Sequence, residues 1–91
     1  MSLTKEKMID LYATMKKIRL FEEKVSELFA EGKLPGFVHL YAGEEAIGVG
    51  VCAHLTDRDY ITSTHRGHGH CIAKGVEINS MMAEVYGKAT G

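Results

Sequence analysis

Tryptophan is missing from this 91-residue chain, proline occurs once and cysteine twice. Cys52 and Cys71 are too few and too far apart for a disulfide framework or a paired-thiol metal site. They read as buried free thiols in a reducing compartment. No apolar run approaches the roughly 20 residues of a membrane span, and residues 1–7 lack the apolar core of a secretory leader. A cytoplasmic location is therefore expected. Neither charge sign is in excess: 11 Lys and Arg face 12 Asp and Glu, for a formal net charge of -1. That balance argues against broad nucleic-acid binding, which needs a clustered basic surface. With 45% hydrophobic and 25% charged residues, the composition is globular rather than disordered. What remains is one small domain, or part of a larger one, with a small-molecule or protein partner.

The chain is rich in helical periodicity. Met8, Leu11, Tyr12, Met15, Ile18, Val25, Leu28 and Phe29 recur at steps of three and four while charged residues fill the other faces, which predicts an amphipathic helix over 5–30. Thr4 is placed to cap it, and Gly32 with Pro35 to stop it. Leu20 and Phe21 lie beside the stripe and predict a second buried contact. Residues 32–43 lack periodicity and read as a loop containing His39. A second helix is expected from about Gly43 to His54; its small residues Ala46, Gly48, Gly50 and Ala53 predict close packing, since a helical Gly costs about 1 kcal/mol relative to Ala. Tyr60-Ile61-Thr62-Ser63-Thr64 has the composition of one short strand. A helical turn over 71–74 and a last helix carrying Ile78, Met81, Met82, Val85 and Tyr86 complete the reading. The piece is thus mainly α-helical with one short strand, and a lone strand either takes a partner from outside the 91 residues or is irregular here.

Thr64-His65-Arg66-Gly67-His68-Gly69-His70 is the densest chemistry in the chain. Glycine lets backbone approach a ligand, Arg offers a planar fork for phosphate oxygens, and imidazole binds, ligates or carries protons near neutral pH. Three uses stay open for this loop: phosphate binding, proton transfer, and metal ligation by His65, His68, His70 and Cys71. The ligand spacing matches no standard zinc signature, so no metal residue is assigned. Arg66 has an alternative as a loop side chain paired with Asp59. Glu44 and Glu45 read as charges at a helix start, with a bond from Glu45 to a site residue as the alternative, and His54 and His70 read as structural.

Five blocks in order resemble a known family. They are Ile18-Arg19-Leu20-Phe21-Glu22, Gly36-Phe37-Val38-His39-Leu40, Gly43-Glu44-Glu45-Ala46 with Val49-Gly50, His65-Arg66-Gly67-His68-Gly69, and the stretch 81–91. Together they resemble the α chain of the thiamine diphosphate-dependent component of 2-oxo acid dehydrogenase complexes, with wording of the 64–71 loop most similar to the acetoin dehydrogenase branch. The resemblance implies an α/β thiamine diphosphate-binding fold, of which 1–91 is the N-terminal part of a single domain. It also implies an oxidoreductase acting on an oxo substrate with lipoamide as acceptor, an α2β2 assembly with a β subunit, and a lipoyl-bearing acyltransferase as partner. By the same resemblance, Arg66 contacts the cofactor diphosphate with His65 beside it, and His39 and His68 are candidate catalytic residues.

Two departures bear on the transfer. His65 stands where pyruvate dehydrogenase chains carry Tyr, which marks the acetoin branch and leaves a pyruvate dehydrogenase-type α subunit as the alternative. The family's Mg²⁺ ligands belong to a Gly-Asp-Gly to Asn-Asn motif, and its activating glutamate to the β chain; the chain contains neither, so this piece is expected to be inactive alone. A reading of another class is a small helical module that self-associates or binds metal. Because part of the expected core partner is absent, an oligomer or a marginally stable monomer is expected.

Overall fold

A computed structural model describes residues 3–91; Met1 and Ser2, part of the segment read above for a leader, lie outside the described residues. Among the described residues four helices follow in order: α1 (Lys5–Ala30), α2 (Glu45–Cys52), α3 (His68–Lys74) and α4 (Ile78–Val85). The expected span of α1 is met at both ends. Thr4 Oγ1 accepts from the Lys7 amide at 3.1 Å, satisfying one of the donors a helix start leaves unpaired. At the other end Gly32 adopts φ +73° and its amide returns to the Phe29 carbonyl while that of Lys33 returns to Leu28. This is a Schellman stop.

Burial is confined to part of the predicted stripe. Ile18, Phe21, Val25 and Leu28 are buried, whereas Met8, Tyr12 and Phe29 are exposed. Of the flanking pair only Phe21 enters the core; Leu20 faces outward. α1, α2 and α3 pack on one another, and α4 adds Met81 to the same cluster, which Leu34, Tyr41, Val49 and Ile72 complete.

Four expectations are corrected. No strand occurs among the described residues: the segment 60–64 lacks ladder partners, and Tyr60 is 97% exposed. β-branched composition makes a strand only where a second strand accepts its hydrogen bonds. α2 is shorter than expected, because Gly43 at φ +97° and Glu44 outside helical geometry delay its start to Glu45. α3 begins within the glycine-containing loop, at His68, and closes on Gly75 in the left-handed region at φ 110°. Finally, Cys52 is half-buried and Cys71 exposed rather than buried. α3 presents Gly69 and Ile72 to the core, and Cys71 lies a rotation of about 100° from Ile72.

No helix among the described residues is long and apolar enough to cross a membrane.

Candidate cofactor and catalytic site

Two irregular segments bring the candidate residues together. The loop between α1 and α2 carries His39, and the segment before α3 carries His65 and Arg66. Arg66 ties them: its Nη1 donates to the Leu40 carbonyl at 2.8 Å. Asp59, the alternative partner considered for Arg66, instead accepts from the Thr56 amide at 2.7 Å. His39 and His65 meet edge to face across the same junction, with ring centroids 4.7 Å apart.

His68 opens α3 and turns inward. Its Nδ1 lies 3.0 and 3.3 Å from the two carboxyl oxygens of Glu22, a side chain with no exposed surface. The Phe21 ring packs roughly perpendicular to the His68 ring, at a centroid distance of 5.7 Å. The Glu22 hydrogen bond raises the His68 pKa from its ordinary value against the opposing effect of burial, with the charges of Glu22 and Glu84 adding to the rise. His39, His65 and His68 line one open cleft of about 290 Å³, with Phe37 and Glu84 among the other walls. Arg66 is not among its lining residues; it is exposed beside the cleft.

The remaining loop residues serve the fold. His70 Nδ1 lies 2.6 Å from Ser63 Oγ, and its ring meets Tyr41 edge to face at 4.8 Å. Gly69 is required by contact: a Cβ there would sit 2.0 Å from the Tyr41 ring. His65, His68 and His70 thus engage three different partners, and among the described residues no three His, Cys, Asp or Glu side chains converge as a metal site.

Two acidic residues were not singled out as site residues from sequence. Glu22 carried a signal, since it lies four residues after Ile18 and three before Val25, on the apolar stripe itself, where a carboxylate is costly unless paired. Glu45 is more than a helix-start charge. Arg19 grips it through Nε at 2.8 Å and Nη2 at 3.0 Å, and the Gly43 amide donates to it at 2.9 Å. The Arg19 bond, opposed by burial and aided by the Gly43 amide, holds the Glu45 pKa at about 2.

The chemistry of this donor set suits a diphosphate at one end. Arg66 is exposed, and among the described residues its guanidinium makes one hydrogen bond, to Leu40, so further N–H groups of its fork face no protein acceptor. Charge-assisted bonds from such a fork are the strong, directional kind that phosphate oxygens accept.

The chain is 70% identical over its full length to the α subunit of acetoin:2,6-dichlorophenolindophenol oxidoreductase from Bacillus subtilis, spanning 27% of that protein. It is 60% identical to the subunit of the same name from Cupriavidus necator, over 98% of the chain and 27% of the relative. At 46% identity it resembles the pyruvate dehydrogenase E1 component subunit alpha of Porphyra purpurea, over 99% of the chain and 26% of the relative. The chain therefore spans about a quarter of the length of these curated relatives. Residues 13–91 match the family model described as the dehydrogenase E1 component, and the chain belongs to that family.

Proposed function

We propose that this chain supplies part of the thiamine diphosphate site of an acetoin dehydrogenase-type α subunit, in an α/β fold of which residues 1–91 form the N-terminal part. The observation that carries the reading is the gathering of His39, His65 and His68 on one cleft with Arg66 beside it, in a chain 70% identical to an α subunit of that name. Arg66 holds the diphosphate, with His65 next to it; His39 and His68 face the reacting end. When bound, thiamine diphosphate supplies the nucleophilic carbon and the electron sink for cleaving a bond beside a carbonyl.

This chain's residues do the positioning. The Leu40 carbonyl fixes one edge of the Arg66 guanidinium so that the rest of the fork is oriented before ligand arrives, which lowers the ordering cost of binding. The imidazoles at the cleft accept or donate protons at substrate oxygen near neutral pH. The reading places the magnesium ligands and the activating glutamate outside these 91 residues, with the latter on a β subunit in an α2β2 assembly. A lipoyl-bearing acyltransferase then takes the acyl group, in the cytoplasm. By itself the 91-residue chain gives no turnover with thiamine diphosphate, Mg²⁺ and β subunit.

The test is Arg66→Ala in the full-length α subunit assembled with β. Loss of a charge-assisted bond worth about 1.5–3 kcal/mol weakens thiamine diphosphate binding roughly 10- to 150-fold, read by calorimetric titration. Unchanged affinity removes the assignment. The 46% identity to a pyruvate dehydrogenase α subunit supports a second reading of substrate, and parallel assays with acetoin and pyruvate decide between the two.

A further inference from the structure

Glu22 has no exposed surface, and among the described residues its only hydrogen-bond partner is the His68 ring. A carboxylate in such a place costs several kcal/mol in desolvation unless an opposing group offsets it. A hydrophobic residue would continue the Ile18 to Val25 stripe at no such cost, so packing does not explain Glu22. The group it meets lines the cleft. We infer that Glu22 is the positioning residue of His68: it holds the Nδ1 proton, fixes the tautomer, and leaves Nε2 as the nitrogen that exchanges protons in the cleft.

The inference rests on the reading of His68 as a site residue. In a neutral imidazole one nitrogen donates and the other accepts. Glu22 offers only acceptors when ionised, so Nδ1 carries the hydrogen and Nε2 keeps its lone pair. Among the described residues Nε2 makes no hydrogen bond with protein. When Nε2 takes a proton from a substrate hydroxyl, the ring becomes an imidazolium, Nδ1–H stays on Glu22, and the new positive charge faces the carboxylate; return of the proton reverses each change. His68 is also the first residue of α3, where the helix dipole disfavours a cation. Glu22 offsets that cost. The titratable groups around the ring are Glu22 on α1, Glu84 on α4, His39 and His65 across the cleft, and Cys71 on α3. Of these Glu22 makes the direct contact.

The experiment uses the full-length α subunit assembled with β, labelled with 15N-histidine. Ring NMR of the wild type is expected to show neutral His68 protonated at Nδ1; a ring protonated at Nε2 overturns the assignment without any variant. In Glu22→Gln, which keeps an acceptor but loses the charge, the His68 titration falls by about one pH unit. The acid limb of kcat/KM against pH moves down by the same amount, whereas Glu22→Asp returns both part of the way. A variant that only loosened the fold would lower the melting temperature and leave that limb in place. A limb that stays while the NMR titration moves overturns the inference. Wild-type enzyme with no thiamine diphosphate-dependent turnover overturns the functional reading instead, and the tautomer still decides the role of Glu22.

Discussion

Tyr41 is 3% exposed and wedged between two glycines. A Cβ on Gly48 would lie 2.7 Å from its hydroxyl, and one on Gly69 would lie 2.0 Å from its ring. Ring atoms of a buried Tyr cannot swing aside as a flexible side chain would. Gly69→Ala therefore overpacks the contact and costs about 1–3 kcal/mol, measured as a lower urea midpoint; a midpoint equal to wild type would mean that α3 shifts without cost. Among the described residues the Tyr41 hydroxyl has no hydrogen-bond partner, and burial leads the effects that raise its pKa. An unpartnered buried hydroxyl costs about 1–3 kcal/mol. Tyr41→Phe is accordingly expected to match or exceed wild-type stability, and a loss above about 1 kcal/mol in the same urea titration would reveal a bond to that oxygen. Small residues in α2 announced close packing in the sequence, but not that the neighbour is an aromatic ring from the preceding loop. Gly50 takes no part in it, since a methyl group at that position would meet nothing within 4 Å.

Between elements, the Arg19–Glu45 pair joins α1 to the start of α2 and, through the Gly43 amide, holds the end of the loop that carries His39. Its pH dependence follows from the sign of the shift. Glu45 titrates at about 2 in the fold against an ordinary 4.5, so the pair contributes fully above about pH 4.5 and its contribution is lost as pH falls through about 2. Melting temperature measured down that range should decline in the wild type, while Glu45→Gln starts lower at pH 7 and loses this component of the decline. His68 has the opposite sign. Its raised pKa means that the Glu22 contact adds stability below the ordinary histidine value and loses it as pH rises through the folded one. Neither pair was legible as a pair, because the partners stand 26 and 46 residues apart and only the fold brings them together. α1 was legible to its ends, since a 3.6-residue period, a Thr cap and a Gly stop are all local signals. The strand over 60–64 failed for the converse reason: its composition is local, but pairing is not. The candidate cluster was legible where one loop writes it, at His65, Arg66 and His68, and the resemblance added His39, which the fold brings to the same cleft as His65 and His68. The carboxylate behind His68 was legible only as a charge misplaced on the apolar stripe of α1, because its partner lies 46 residues away.

Taken as one body, the 91-residue chain is more extended than its size requires. Its radius of gyration is 13.7 Å over extents of 45 × 25 × 21 Å, against about 12 Å for a compact chain of this length. Its surface is 6373 Å², where a compact monomer of 10.0 kDa exposes about 5,200 Å². That excess exceeds the roughly 800 Å² that each partner buries in a standard interface. It is apolar in part: Phe37, Ile47, Val51 and Tyr60 are all more than half exposed, and α1 projects Met8 and Tyr12 beyond the packed core. Phe37 also lines the histidine cleft, so one wall of the proposed site belongs to the uncovered surface. Large exposed apolar patches drive association. In solution the 91-residue chain is therefore expected to self-associate, with a melting temperature that rises with protein concentration because burial of these faces is coupled to folding. Sedimentation equilibrium alongside calorimetry over a hundredfold concentration range checks this; a monomer whose melting temperature stays constant across that range would show that the packed core of α1, α2 and α3 suffices on its own.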